Sequence, residues 1–268
     1  MRVWTLGSGS RGNALLLEAD GTRVLIDAGY SPREMTRRLA AASVAPESIS
    51  ALLVTHEHFD HARGVAAAQR RWRWHVFGSA GTLAGVRRLD RARATAVEPG
   101  TSWRVGAMDF ELIRVPHDAA APTAIIATAE RSGFRTGIAH DFGSVNDVLR
   151  KRLTGLDLLL LESNHDEGML RSGPYPPFLQ DRIAGRNGHL SNRQAAMLAR
   201  DVASHALVQL VLLHLSEVNN APRHALAAAA QAMRGRPGRC AVSAAPQDGV
   251  AGPFGDARGH TAQLRLAL

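Results

Sequence analysis

Twice along its length this chain passes from closely spaced β-like runs into alternating strand and helix, and that repeated order limits the architectures open to it. The first pass opens with RVWTL, NALLLEA and TRVLIDAG, separated by Gly-rich and Asp-Gly turns. A helix is expected after Ser31-Pro32, a cap followed by a residue suited to a first helical turn. The apolar run ALLVT, an Ala/Arg helix and a short strand from His75 to Phe77 follow. The second pass begins with MDFELIRV, PTAIIATA and GFRTGIAH, the last two joined by a turn from Glu130 to Gly133. It then alternates between helix (SVNDVLRKRL, SNRQAAMLARDVAS, APRHALAAAAQAM) and strand (LDLLLLES, LVQLVLLHLS), with GPYPPF read as irregular. Two more short strands, CAVSA and TAQLRLA, are expected in the Gly/Pro-rich tail after Arg234. Two such passes imply α/β architecture: two sheets packed face to face with helices outside, a four-layer αββα sandwich. No linker or low-complexity block interrupts it, so residues 1–268 are read as one domain.

Composition narrows the setting. The 45% apolar content is enough for a sizeable core. The one cysteine, Cys240, has no internal disulfide partner, which suits a reducing compartment; it is read as a small, buried strand residue. No run has the length of a transmembrane helix and the N-terminus lacks a signal-peptide core, so a soluble, cytoplasmic protein without a membrane partner is expected. The net charge of +8 is almost all arginine, since Lys151 is the only lysine. Such a balance fits a polyanionic partner such as nucleic acid, and equally the coding bias of GC-rich DNA. Arg33, Arg37 and Arg38 illustrate how the charge is scattered rather than gathered in one tail. The sequence leaves the oligomeric state open.

Histidines recur where apolar runs end. His56-Glu57-His58-Phe59-Asp60-His61 follows ALLVT directly. In an extended chain alternate residues share a side, so His56, His58 and Asp60 are expected to converge, with His61 approaching from the next element. Imidazole and carboxylate suit zinc, manganese or iron. The cluster holds more donors than one open tetrahedral site needs, which points to two divalent ions.

This THxHxDH pattern resembles the signature of the metallo-β-lactamase fold superfamily, whose αββα sandwich carries metal at the strand ends. The resemblance implies further ligands at later strand ends, met here by His117 after FELIRVP, Asp141 after GFRTGIAH and His214 at the end of LVQLVLLH. By that carry-over His56, His58, His117 and Asp141 hold one ion, and Asp60, His61, Asp141 and His214 the other. His140 departs from the small hydroxyl residue usual beside the bridging aspartate, which would alter the hydrogen bonding around Asp141.

Such a centre implies hydrolysis and says less about the substrate. Glu162, ending LDLLLLE, and His189, in GHLSN, resemble the glutamate and histidine of the tRNase Z branch, where the histidine protonates the leaving oxygen. With Asp60 they are the expected catalytic residues; the plainer alternative is a helix-capping histidine and a surface ion pair. The stretch from Glu162 to Asn192, the HLSEVNNAP segment, GSGSRGN and LIDAGYS together resemble the YycJ/WalJ group, for which degradation of DNA from a 5′ end is implied. A tRNase Z-like RNA endonuclease, a thioester or lactone hydrolase and a catalytically inert binding module are the alternatives. GSGSRGN lacks the GK[ST] of a P-loop and is at least a turn. Its Ser8, Ser10, Arg11 and Asn13 are expected to meet a phosphate, and Asn164 and His165 to meet substrate, with loop support the alternative for His165. Tyr175 and Phe178 fit either base stacking or a proline-fixed lid packed on the core.

Overall fold

The computed structural model describes residues 1–235 and 239–255. Its first sheet is built from β1 (Arg2–Gly7), β2 (Ala14–Ala19), β3 (Thr22–Ile26), β4 (Ala51–Val54), β5 (His75–Gly78) and β6 (Ala94–Ala96). The second takes β7 (Ser102–Val105), β8 (Met108–Arg114), β9 (Thr123–Ala129), β10 (Arg135–Ala139), β11 (Leu158–Glu162), β12 (Gln209–Leu213) and β13 (Ala241–Ala244). A last strand, β14 (Ala251–Phe254), returns to the first sheet and pairs antiparallel with β1. The helices are α1 (Pro32–Ala41), α2 (Phe59–Ala62), α3 (Val65–Trp72), α4 (Ala80–Gly85), α5 (Asp147–Arg152), α6 (Glu167–Ser172), α7 (Pro177–Ala184), α8 (Asn192–Val202) and α9 (Pro222–Met233). Among the described residues no helix is long and apolar enough to cross a membrane.

Both sheets have the same grammar. Strands β1 to β3 form an antiparallel meander and β3 to β6 run parallel. Likewise β7 to β10 meander and β10 to β13 run parallel. Parallel neighbours need crossover connections, which is why helices enter at that point in each half. The run Leu158–Leu161 shows the layering residue by residue. Leu158 and Leu160 face the space between the sheets, with Leu17, Ile26, Leu53 and Phe110. Leu159 and Leu161 face outward onto Leu149 of α5 and Leu198 of α8. A strand covered on both faces has no polar side to show, so its sequence is an unbroken apolar run. The outer face of the first sheet is covered in the same way by Met35 and Leu39 of α1 and Val65 of α3. The αββα expectation is met.

Several local expectations are corrected. The segment after β4 is extended only as far as His58; Asp60 lies in the helical turn α2, so helical rather than strand geometry aims it, while His61 approaches from that next element as expected. GPYPPF leads straight into α7, with Pro176 at the N-cap and Pro177 in the first turn, where a missing N–H costs nothing. Phe178 is 75% exposed, so it does not pack on the core. Cys240 precedes β13 and is only partly buried. The short strands β6, β7 and β14 were not anticipated. TAQLRLA lies outside the described residues.

Candidate metal centre

The strand ends bring the expected donors together. His56 follows β4, and its Nδ1 is 3.1 Å from the Thr55 hydroxyl, whose own proton goes to Asp27 Oδ2. His56 therefore donates from Nδ1, and its Nε2 is left buried without a hydrogen-bond partner. His117, after β8, donates from Nδ1 to the Gly188 carbonyl at 3.0 Å. His58 donates from Nε2 to the Asp118 carbonyl at 3.1 Å. The nitrogens left over, His58 Nδ1 and His117 Nε2, face each other at 3.3 Å. Two imidazole lone pairs at that distance repel unless a proton or a cation lies between them. Donor atoms of His56, His58 and His117 all lie within 4.8 Å of one another.

A second group forms around Asp141. Its Oδ2 is 2.9 Å from His61 Nε2 and 3.4 Å from His56 Nε2, and its Oδ1 is 3.3 Å from His214 Nδ1. Asp141 thus stands between the two histidine groups. Asp60 is 3.4 Å from His61 Nε2 through Oδ2. Asp27 was not singled out in the sequence, yet it accepts the His61 Nδ1 proton at 2.8 Å and both Thr55 donors at 2.8 Å. This carboxylate–imidazole pair fixes the tautomer in which His61 Nε2 points into the site. Asp27, Asp141 and His214 all adopt positive φ, at 62°, 59° and 53°. Such conformations cost of order 1–3 kcal/mol each outside glycine, although Asp and His tolerate them better than most. All three follow the C-terminal ends of strands, where a sharp turn swings the side chain across the top of the sheet.

The electrostatics favour a cation. Burial lowers the pKa of His56, to about 3, and also that of His117 and His214, so these rings are neutral, as metal ligands must be. Burial would raise Asp141, but His214 and His61 hold it well below the usual carboxylate range. Burial likewise opposes charge on His61, yet Asp141, Asp60 and Asp27 drive its pKa well above the ordinary value. Positive charge is therefore favoured where these carboxylates meet. The orphaned His56 Nε2 and Asp141 Oδ1 add two buried polar atoms that a cation would satisfy. The donor set fits divalent metal. His140 also has a ring nitrogen within 4.8 Å of donors on His61, Asp141 and His214. Its Nε2 lies 3.3 Å from Asp27 Oδ2, on the side of His61 turned away from Asp141.

Glu162 and His189 meet as a pair. Glu162 is fully buried at the end of β11 and takes the His189 Nδ1 proton at 2.6 Å. It also accepts the backbone N–H groups of Phe142 and Leu190, which ties the Asp141 and His189 loops to one carboxylate. Burial acts against charge on His189, but Glu162 outweighs it and raises the pKa to about 9. The ring lies 5.1 Å from that of His117 and 5.3 Å from that of His214. Helix capping falls to Ser191 and Gln194 in a reciprocal capping box, which leaves His189 free of that role.

A cleft of about 270 Å³ opens over the centre, lined among others by His58, Asp60, Asp141, His189, Leu179 and Arg182. Of the residues expected to meet substrate, only Ser10 lines it. The others are placed differently. Ser8 is buried, and its hydroxyl takes the His214 N–H at 2.9 Å. Asn13 is buried with its amide near Asp60 Oδ2, His61 Nε2 and His214 Nδ1. Asn164 donates to the His214 carbonyl, and His165 is buried beside the α8 cap. Arg11 is committed to Glu217 and Asp248. These side chains were expected at the surface of the site because Ser, Asn and Arg bind phosphate. Ser8, Asn13 and Asn164 lie around or beneath the donors instead, because seven polar side chains brought to one point need partners of their own.

A family model described as the beta-lactamase superfamily domain matches residues 22–215. Exodeoxyribonuclease WalJ of Streptococcus pneumoniae serotype 2 is 33% identical over 221 residues, spanning 80% of this chain and 81% of that protein. Exodeoxyribonuclease YycJ of Bacillus anthracis is 32% identical over 221 residues, spanning 80% and 82%. Among solved structures, the metallo-beta-lactamase fold protein YhfI of Bacillus subtilis superimposes with a TM-score of 0.69 at 16% identity, covering 94% of this chain and 99% of that one. Fold, donor clusters and sequence agree, and the chain belongs to the metallo-β-lactamase-fold branch of the β-lactamase superfamily.

Proposed function

We propose that this protein is a metal-dependent phosphodiesterase that degrades DNA from a 5′ end. The observation that carries the reading is the Glu162–His189 pair, a protonated imidazole held at 2.6 Å by a buried carboxylate beside the His117 and His214 rings. A phosphodiester releases an alkoxide, which needs a proton as it leaves. Nδ1 of His189 is spoken for by Glu162, so the proton to be given sits on Nε2, and a pKa of about 9 keeps it there at neutral pH. Relatives named exodeoxyribonucleases support DNA as the substrate.

The reading assigns His56, His58, His117 and Asp141 to one divalent ion, and Asp60, His61, Asp141 and His214 to a second, with zinc or manganese the fitting metals and iron a further candidate. Bound there, such ions supply an activated water and neutralise charge on the phosphate. Thr55 and Asp27 hold His56 and His61 in the tautomers that turn Nε2 into the site, and Ser8 anchors the backbone of His214. Loaded with each metal in turn, the protein is expected to shorten 5′-phosphorylated, end-labelled DNA. Thioester turnover with every DNA strand left intact would sink the nuclease reading. His189→Ala is expected to abolish cleavage with metal content unchanged; wild-type turnover in that variant removes the proton-donor role.

A further inference from the structure

We propose that α7 and α2 form a clamp for unpaired nucleotides, so that the strand must enter the cleft single-stranded. The inference rests on the nuclease reading and narrows its substrate. Isolated exposed apolar residues are ordinary on protein surfaces. The phenylalanines here are distributed otherwise. Phe59 is 73% and Phe178 75% exposed, whereas the other five are buried or half-buried. Both exposed rings belong to segments that border the cleft. Phe59 stands between His58 and Asp60, which line it, and Phe178 immediately precedes Leu179, which also lines it.

An arginine lies against the Phe59 ring, and Phe178 has one a helical turn further along. Phe178 and Arg182 are four residues apart on α7, and such residues are neighbours on a helix surface. Arg182 lines the cleft and donates from Nε to Asp118 Oδ2 at 2.8 Å. The other Asp118 oxygen lies 3.4 Å from His117 Nε2, so this ion pair borders the centre itself. An incoming phosphate can replace Asp118 as the partner of Arg182. On the other element the Arg63 guanidinium lies over the Phe59 ring at 5.2 Å and donates to the Arg11 carbonyl. Among the described residues no carboxylate pairs with Arg63. An aromatic face next to a cation matches what a nucleotide presents, a flat base and a phosphate. Stacking requires a base with a free face and is indifferent to which base it is. The geometry therefore selects unpaired ends rather than particular sequences.

The test compares metal-loaded wild type with the Phe59→Ala, Phe178→Ala, Phe178→Trp and Arg182→Ala variants. The substrates are a 5′-phosphorylated single strand, a blunt duplex, and a single strand whose terminal nucleotides are abasic. The wild type is expected to favour the base-bearing single strand. Each alanine variant at phenylalanine should lose roughly 10-fold in kcat/KM on that strand, mainly through KM, and lose nothing further on the abasic strand. Phe178→Trp should retain the wild-type preference, which separates stacking from a folding defect. Arg182→Ala should flatten the salt dependence of KM by about one unit of slope. Cleavage by the wild type together with equally fast phenylalanine variants overturns the clamp alone, as does an equal loss on abasic strands. A wild type that leaves every strand intact overturns the clamp and the nuclease reading together.

Discussion

Asp27 decides which nitrogen of His61 faces the centre, because it takes the Nδ1 proton at 2.8 Å. Asp27→Asn replaces that charged acceptor by an amide, and a loss of 10- to 100-fold in metal affinity is expected from a chelator competition titration. Unchanged affinity would show that Asp27 serves folding only. Glu162 does the analogous work for His189. The raised pKa of His189 means that its proton is held from acid through neutral pH and released as the pH rises through about 9. The pair's contribution to stability follows the same sign: complete below the free imidazole value of 6.5, and lost as the pH climbs past about 9. Glu162→Gln should pull the alkaline limb of the pH–rate profile down by roughly 1–3 units. A limb that stays in place means some other group titrates there. The donors of the first cluster stood out in the sequence because four metal-binding side chains in six residues after an apolar run have few other uses. Asp27 did not, since a single aspartate in LIDAG also reads as a turn former. Ser8 and Asn13 showed their chemistry but not their direction, which depends on β1, β2 and β12 meeting in space.

At the scale of elements, the centre depends on how closely the loop after β3 meets α2. Two loops are stitched to the α2 region: Ala28 N–H, after β3, donates to the His61 carbonyl and Asn13 N–H, just before β2, to the Asp60 carbonyl, both at 2.8 Å. Gly29 sits at the crossing, where an added Cβ would fall 1.8 Å from the Asp60 carbonyl oxygen and 2.6 Å from Asn13 N. Backbone cannot yield as a flexible side chain does, so Gly29→Ala must push α2 away. A displacement of about 1 Å at a reacting centre costs on the order of 100-fold in rate. The expected result is a folded protein, by circular dichroism, whose DNA cleavage falls by about that factor; full activity would mean that α2 is not held by this contact. Sequence patterning shows such elements unevenly. The strands β4, β8, β10, β11 and β12 were read correctly as apolar runs that end on a donor or carboxylate. The helix α7 was hidden by the prolines of PYPPF, which signal irregular chain unless they are placed at a helix start, and α2 is too short to carry a helical period.

For the whole molecule, the repeated passage from meander to alternating strand and helix was enough to give two sheets and outer helices. It could not show that β14 returns across the molecule to close the first sheet against β1, because strands of this length carry too few residues to declare a partner. The same architecture makes the centre a joint between the sheets. His56, His58, Asp60 and His61 follow β4 of the first sheet; His117, Asp141 and His214 follow strands of the second. The apolar core between them is non-directional and tolerates small slippage, whereas ligands converging from both sides do not. Without a cation, the charges of Asp27, Asp60 and Asp141 share His61 as a counter-charge. Metal that binds only the folded form adds stability by mass action, about 2.7 kcal/mol at a free concentration 100 times the Kd. Removing metal with a chelator should therefore lower the thermal midpoint, and adding it back should restore it. The recovery should be lost in a variant of either sheet, His58→Ala or His214→Ala, if both sides contribute to one centre. A midpoint indifferent to chelation would mean that the core alone holds the sheets in register, and that the donors are arranged for chemistry without any share in stability.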